Sequence, residues 1–169
     1  MKEKTAGNSK ESSGSTTNKM KERTLAIIKP DGVERSLTIE CIERIEKVGL
    51  EIIKKKMMIM TRELAERFRN EIKEKHPAIF EALIEYMTEG PMIAMIVEGE
   101  NATEKLRMVC GATNPSEAEE GTIRGDFGDK NIDMKELYKK GKVVKNIIHS
   151  SGNQEEAQEE IEIIFGGER

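Results

Sequence analysis

The chain has 169 residues, of which 28 are Lys or Arg and 32 are Asp or Glu, and its formal net charge is −4. A chain of this length usually forms one domain, and the acidic balance argues against wholesale nucleic-acid binding, which needs a basic footprint. No run approaches the ~18 consecutive apolar residues that a membrane-spanning helix needs, which excludes a transmembrane protein.

The two cysteines stand far apart in the sequence and form no C-x-x-C pair. We therefore expect neither a disulfide framework nor a cysteine zinc site at Cys41 and Cys110. Free thiols fit a reducing cytosol, so the sequence predicts a cytoplasmic protein.

Residues 1–20 differ in composition from the rest of the chain. They are rich in Ser, Thr, Lys, Asn and Gly and show no apolar periodicity, so they cannot bury enough surface to offset the entropy of ordering. They also lack the apolar stretch of a secretory signal. The sequence predicts a disordered polar tail over residues 1–20 and one domain over residues 21–169.

The first half of the domain alternates between strand and helix patterns. A short apolar run that ends at Lys29-Pro30-Asp31-Gly32 is typical of a buried strand that breaks into a turn, and apolar residues at helical spacing predict helices. In chain order, the predicted elements are a strand over 24–28, a helix over 39–48, a strand over 50–60, and helices over 63–75 and 80–87.

The second half continues the alternation. Two of its helices begin with the signature of a capping box, formed by Asn101 with Glu104 and by Asn153 with Glu156. In chain order, the predicted elements are a strand over 92–97, a helix over 101–110, a loop over 111–126, a strand over 143–148 and a helix over 153–165.

The order of elements indicates the fold class. Helices between strands, with few hairpin signals, favour an α+β sandwich of the ferredoxin-like kind. We expect a four-stranded antiparallel sheet with helices packed on one face. The alternative is a doubly wound parallel sheet, for which four strands are few.

Of the two histidines, His149 is the stronger functional candidate. It follows a predicted strand and precedes a helix start, where free backbone N–H groups favour anions. A structural histidine bonded to the turn is an equal alternative from the residues alone. Glu160 lies about two helical turns after Asn153 and could point back toward His149, although periodicity supports this weakly. His76, before a proline, is assigned no function.

Three basic residues stand out from the others in the chain. Lys29, Arg107 and Arg124 each border a glycine or a turn, where the backbone can approach a phosphate. Thr113 and Asn114 add short polar groups in the same loop as Arg124. The pattern suggests a site for a phosphorylated small molecule.

Together, four segments resemble the nucleoside diphosphate kinase family. ERTLAIIKPDGV at 22–33 looks like the family's first strand and turn, and NIIHSS at 146–151 looks like its active-site signature. GATNP at 111–115 and GTIRGDF at 121–127 match its nucleotide loop. The four motifs occur in the family's order across nearly all of the domain.

The resemblance implies a role for each matching residue. The phosphate-accepting histidine falls on His149, and the serine and glutamate that hold it fall on Ser151 and Glu160. The base-stacking position falls on Ile79 or Phe80. Ribose and phosphate contacts are implied for Lys29, Asn146, Arg107, Arg124 and Thr113.

The resemblance also implies the reaction and the partners. The γ-phosphate of a nucleoside triphosphate, mainly ATP, would pass to a nucleoside diphosphate by a ping-pong mechanism through a phosphohistidine on His149. Mg²⁺ would be held mainly by the nucleotide phosphates, with no metal ligands from the protein. We expect a homo-oligomer, a hexamer rather than a tetramer, with no membrane partner and no specific nucleic acid.

Two other functions are weighed against this one. A nucleotide-binding regulatory protein of the same fold, with little transfer activity, would not need to keep all of the matching residues. A nucleic-acid-binding module using the Lys-rich second strand conflicts with the acidic balance of the domain.

The chain departs from the family pattern at several positions. Phe68 stands where a Tyr is usual, and Gly152 stands where an Asp is common. Residues 128–142 form a loop roughly a dozen residues longer than usual, with a short helical pattern over 134–138. We expect this insertion to alter the base-side wall of the pocket, near Val143.

Overall fold

The computed structural model describes residues 20–166, so the predicted tail over residues 1–20 lies outside the described part of the chain apart from Met20. The strands are β1 (Glu22–Ile28), β2 (Glu51–Ile59), β3 (Pro91–Gly99) and β4 (Ile148–Ser150). The helices are α1 (Pro30–Glu34), α2 (Thr38–Lys47), α3 (Arg62–Phe68), α4 (Asn70–Lys75), α5 (Pro77–Thr88), α6 (Ala102–Cys110), α7 (Ile123–Phe127), α8 (Met134–Lys139) and α9 (Gln154–Phe165). A 3₁₀ turn covers Pro115–Glu117. Along residues 20–166, every helix is too short or too polar to span a bilayer.

The strands form one antiparallel sheet in the order β2-β3-β1-β4. β1 lies in the interior of the sheet, where Ile27 is opposite Ala94 of β3 on one side and His149 of β4 on the other. This arrangement is the ferredoxin-like α+β sandwich. The predicted fold class is confirmed, and the parallel alternative is wrong.

Helices cover both faces of the sheet, so the expectation of a sheet covered on one face is wrong. On one face, Leu25 and Ile27 pack in a core with residues of α3, α5 and α9. On the other face, Ala26 and Ile28 pack in a second core with residues of α2, α6 and α7. All four side chains are fully buried, which is why the strand reads as a continuous apolar run.

The helix predicted over residues 63–75 is interrupted at Arg69. Its φ of −118° and ψ of 26° depart from helical values, so α3 ends before it and α4 begins after it. α3 buries Ala65 and Phe68 against the sheet, whereas α4 has no buried residue. The two halves of the predicted helix therefore meet different packing demands.

The fourth strand shares only Ile148 with the predicted range of 143–148, because Ile147 turns the chain. Its φ is 72°, in the left-handed region that β-branched residues rarely adopt. Sheet pairing starts only at Ile148. As a result, His149 lies inside β4 rather than after a strand.

The segment 111–126, predicted to be a loop, contains the 3₁₀ turn and most of α7. Thr122 caps α7, since its side-chain oxygen accepts from the N–H of Gly125 at 3.0 Å. A helix of five residues is too short to show apolar periodicity, which is why the pattern did not reveal it.

One of the two predicted capping boxes forms in part, because its return bond goes to the residue before the cap. The side chain of Asn153 accepts from the N–H of Glu156 at 2.9 Å, and the Glu156 carboxylate accepts from the N–H of Gly152. The prediction for Asn101 is wrong: its φ is 51°, and its side chain makes no capping bond among the described residues.

Candidate active site

The His149 ring is fixed by a carboxylate from α9. Nε2 of His149 lies 2.9 Å from Oε2 of Glu160, and the Ser151 hydroxyl donates to the same oxygen at 2.6 Å. Ser151 Oγ in turn accepts from the N–H of Leu25 in β1 at 3.4 Å. The contact occupies Nε2 and leaves Nδ1 as the ring nitrogen available for reaction.

The surroundings set the charges of His149 and Glu160. Burial lowers the pKa of His149 below its ordinary value of 6.5; contact with Glu160 offsets part of this, and the positive charges of Arg69 and Lys29 add to it. Burial raises the pKa of Glu160, but the contacts with His149 and Ser151 outweigh it and hold that pKa below its ordinary value. At neutral pH the imidazole is neutral and the carboxyl is ionised, so Nε2 donates its proton to Glu160 and Nδ1 carries a lone pair.

The Phe68 ring supports the imidazole from α3. It meets the His149 ring edge-on, with the ring centroids 5.2 Å apart and the planes at 73°. Edge-to-face packing of this kind restrains both rings. Phe68 stands where the resemblance implies a Tyr, and the ring is retained without the hydroxyl.

Lys29, at the end of β1, joins the loops on either side of the site. Its Nζ donates to Oδ1 of Asn146 at 2.7 Å, and Nδ2 of Asn146 donates to the backbone oxygen of Thr113 at 2.9 Å. Burial, followed by the charge of Arg124, lowers the pKa of Lys29 to about 7. An incoming phosphate would favour the charged form.

The two predicted arginines differ in how firmly they are held. Arg124 is 7% exposed, and its Nε, Nη1 and Nη2 donate to the backbone oxygens of Asn146, Gly111 and Ile148 at 3.3, 2.7 and 2.6 Å. Arg107 is more exposed, and its Nη1 donates to one backbone oxygen at 2.9 Å. Because three of the five N–H groups of Arg124 hold backbone, it organises the loops as well as supplying charge.

The turn after β1 supports the strained backbone that precedes β4. The Asp31 carboxylate accepts from the N–H of Ile147 at 3.1 Å and from the Tyr86 hydroxyl at 2.5 Å. The N–H of Lys29 donates to the Ile147 oxygen at 2.8 Å. A Cβ on Gly32 would lie 2.9 Å from that oxygen, so only glycine permits this approach.

Beside His149 lies one open cavity of about 1360 Å³. Ser151, fully buried, lies behind its wall and is not part of the lining among the described residues. The predicted site residues that line the cavity are Lys29, Arg107, Thr113, Arg124, Asn146, His149 and Glu160.

Ile79, the predicted base-stacking position, is placed differently. It lies in the first turn of α5, is 6% exposed, and does not line the cavity as described for residues 20–166. Phe80 belongs to the core on the α3, α5 and α9 face. The structure therefore brings neither candidate for this position to the cavity.

Arg69 lines the same cavity and was not predicted from the sequence. It sits in a run dominated by charged residues, which reads as a solvated helix face. The break between α3 and α4 singles it out, and the one turn-type residue beside that break is Asn70.

The predicted insertion, residues 128–142, lies to one side of the site. α8 forms where the helical pattern predicted it and has no buried residue. A Cβ on Gly141 would lie 3.6 Å from the Ala78 oxygen in α5, and Lys130 Nζ donates to the Ala118 oxygen at 2.5 Å. None of the fifteen residues lines the cavity as described.

The cavity beside His149 offers donors for phosphate oxygens. Within residues 20–166, no group of three or more His, Cys, Asp or Glu side chains is placed to hold a metal. Lys29, Arg107 and Arg124 line the cavity with His149 and can donate to the oxygens of a phosphate, while the Glu160 carboxylate is engaged with the histidine.

Comparison with known proteins identifies the relatives of the chain. A family model described as nucleoside diphosphate kinase matches residues 22–169. The nucleoside diphosphate kinase of Archaeoglobus fulgidus is 45% identical over 144 residues, which cover 85% of this chain and 86% of that protein. The enzyme of Methanocaldococcus jannaschii is 47% identical over 146 residues, covering 86% and 94%.

Solved structures of similar fold carry the same family name. A transition-state mimic of nucleoside-diphosphate kinase from Borrelia burgdorferi, with bound vanadate and ADP, superimposes with a TM-score of 0.79 at 38% identity and covers 85% of this chain and 86% of that one. An NDP kinase from Pyrobaculum aerophilum gives a TM-score of 0.75 at 32% identity, covering 85% and 95%.

Proposed function

The chain belongs to the nucleoside diphosphate kinase family, and we propose that it carries the phosphoryl group from one nucleotide to the next on His149. Family membership makes the protein a phosphotransferase that uses nucleotides. The observation that carries the assignment to His149 is its contact with Glu160, which engages Nε2 and leaves a neutral Nδ1 beside the basic residues of the cavity.

In the first half-reaction, the Nδ1 lone pair of His149 attacks the γ-phosphorus of the triphosphate, which is mainly ATP. The bond from that phosphorus to the bridging oxygen breaks, the Nδ1–P bond forms, and the diphosphate leaves with the electron pair. The imidazole gains positive charge as this happens. Glu160, bonded to the Nε2 proton, stabilises that charge and keeps the ring in place.

In the second half-reaction, a terminal oxygen of an acceptor diphosphate attacks the same phosphorus. The Nδ1–P bond breaks, the new triphosphate departs, and His149 returns to its neutral state. Donor and acceptor use one site in turn, so the kinetics are ping-pong.

The basic residues supply the charge that phosphoryl transfer requires. A loose, in-line transition state depends mainly on positioning and on positive charge near the phosphate oxygens. Arg107, Arg124 and Thr113 bind the phosphates in this proposal. Lys29 and Asn146, joined by the 2.7 Å hydrogen bond, contact the ribose.

Mg²⁺ enters as part of the substrate, bound to the nucleotide phosphates. Mg²⁺ is usually bound by one or two carboxylates together with substrate phosphates, and within residues 20–166 no group of three or more His, Cys, Asp or Glu side chains is placed to hold it, which supports this. For the nucleotide base, Ile79 stays our candidate contact. Because Ile79 is buried, contact with the base requires a shift of the first turn of α5.

We expect a cytoplasmic homo-oligomer, a hexamer rather than a tetramer. Two features support these expectations. Both cysteines are free thiols buried in the core. Edge strand β2 presents Met57 and Ile59 at 67% and 68% exposure, with Ile39 of α2 at 71%, and such apolar surface is typical of an interface. Light scattering of the purified protein measures the assembly.

Initial rates measured at several concentrations of both nucleotides test the function. We expect parallel lines in double-reciprocal plots and, after incubation with γ-labelled ATP alone, label on the protein that acid removes and alkali does not. Intersecting lines without labelled protein would contradict the proposal. Nucleotide binding with neither transfer nor label would favour a regulatory protein of the same fold.

A further inference from the structure

Arg69 occupies a special place in the chain, as the single residue between α3 and α4. Its amide donates to the Ala65 oxygen and its own oxygen accepts from the N–H of Ile72, both at 3.0 Å, so the break is held by backbone bonds on both sides. The side chain is 20% exposed and lines the cavity that His149 faces.

The guanidinium lies close to the reacting histidine. Its Cζ is 5.9 Å from the centroid of the Phe68 ring, and the same ring meets His149 edge-on at 5.2 Å. The charge of Arg69 lowers the pKa of His149, by less than the effects of burial and of the contact with Glu160. It also lowers the pKa of Lys29, by less than the effects of burial and of the Arg124 charge. Both effects agree with a cation near the centre of the site.

Arg69 has more free donors than the arginine that the sequence motif identifies. Arg124 uses three guanidinium nitrogens on backbone oxygens. Among the residues that the structure describes, Arg69 makes one ion pair, in which its Nη1 lies 3.2 Å from Oε1 of Glu71. The Glu71 side chain is 44% exposed, and pairs of this kind contribute little stability. A guanidinium with five N–H groups therefore keeps most of them for a ligand.

We propose that Arg69 is a phosphate-binding residue that contacts the terminal phosphate of the nucleotide, and that Glu71 holds its guanidinium until the phosphate replaces it. The inference rests on the proposed phosphohistidine at His149. A terminal phosphate carries up to two negative charges and accepts bidentate hydrogen bonds, so it competes well with one half-exposed carboxylate. The group transferred to His149 would remain beside the same guanidinium.

Three variants of the full chain test the proposal. Arg69→Ala removes the charge and the donors, Arg69→Lys keeps the charge without the fork, and Arg62→Ala removes an arginine of α3 that pairs with Glu81 outside the cavity. For Arg69→Ala we expect kcat/KM for the triphosphate to fall about 10- to 100-fold, as when one hydrogen bond to a charged group is lost. For Arg62→Ala we expect the value of the parent protein.

The pH profile separates a direct role from a structural one. Without the positive charge of Arg69, protonation of His149 becomes easier, so its pKa rises and the acid limb of kcat/KM moves to higher pH. In Arg69→Lys the limb should stay where it is in the parent, while kcat/KM is only partly restored. A residue that merely shapes the break between α3 and α4 would lower the melting temperature without moving this limb.

Glu71→Gln provides a second route if Arg69→Ala does not fold. It frees the guanidinium from its partner and should lower KM for the triphosphate, since the phosphate no longer displaces a carboxylate. An unchanged or higher KM would overturn the proposal.

Two further results would also overturn it. One is parent-like kcat/KM together with a parent-like acid limb in Arg69→Ala; the other is an equal loss in Arg62→Ala. These outcomes leave the proposed function intact, because the parent protein still forms acid-labile phosphate on His149. If the parent forms none, the proposed function fails, and the role of Arg69 fails with it.

Discussion

The cluster around His149 and the segment 128–142 are neighbours along the chain and differ in almost every physical respect. The cluster is fixed by strand pairing and by buried hydrogen bonds, and Glu160 and Arg124 are both under 10% exposed. α8 has no buried residue and contacts α5, and Lys130, earlier in the same segment, donates to the Ala118 oxygen. Geometry that chemistry depends on is held by buried backbone partners, whereas the segment beside it is held loosely enough to vary.

Arg124 and Arg107 give the largest expected effects and the sharpest test of this difference. Arg124→Ala removes a charge and orphans three backbone oxygens, so kcat/KM for triphosphates should fall about 1000-fold and stability by about 3 kcal/mol. Arg107→Ala removes a more exposed charge with one backbone bond and should cost about 10- to 100-fold with little change in stability. Steady-state kinetics and urea unfolding measure both.

Equal losses of stability in the two variants would contradict the view that Arg124 organises the loops. Unchanged kinetics in both would move the phosphate site elsewhere.

The pH dependence tests whether the buried cluster has the charges inferred here. His149 must be neutral to react, and its pKa lies below 6.5. The acid limb of kcat/KM should therefore be centred at a pH below 6.5. Lys29 must be charged, and its pKa is about 7 in the free protein, so kcat/KM should decline about 10-fold per pH unit well above that value. Lys29→Met should lack the alkaline decline, at a lower overall rate.

Bound phosphates favour the charged lysine, so the decline in kcat should begin at higher pH than the decline in kcat/KM. An alkaline limb that persists unchanged in Lys29→Met would assign it to another group.

Shortening residues 128–142 to a tight turn should have the smallest effect. Because none of these residues lines the cavity, self-phosphorylation of His149 should persist, and KM should change by more than kcat. Any loss of assembly, measured by light scattering, would place the segment at a subunit contact. A shortened protein that assembles normally and no longer takes up label would show that the segment carries catalytic groups.

The sequence predicted most of the sheet and seven of the residues that line the cavity. β1 and β3 are continuous apolar runs because both faces of the sheet are buried, and such runs are easily recognised. His149, Lys29 and Arg124 stand within motifs whose residue types follow from phosphate binding. Helical spacing supports the placement of Glu160 beside His149 only weakly, and the family resemblance supports it more strongly.

What the sequence did not reveal depends on contacts between distant residues. The left-handed φ of Ile147 has no local signal, because the backbone there is held by Asp31 and Lys29, over a hundred residues earlier. The break at Arg69 likewise lies where the buried face of α3 ends, at Phe68. Single-sequence patterns describe local preference, and tertiary packing overrides it at these two positions.

The central claim, that the phosphoryl group rests on His149, is tested most directly by labelling the two histidine variants. His149→Ala and His76→Ala are each incubated with γ-labelled ATP and Mg²⁺, and acid-labile phosphate per chain is measured, with circular dichroism as the check on folding. We expect no label on His149→Ala and close to one phosphate per chain on both His76→Ala and the parent protein. Label on a folded His149→Ala at the parent level, or its loss from His76→Ala alone, would contradict the account.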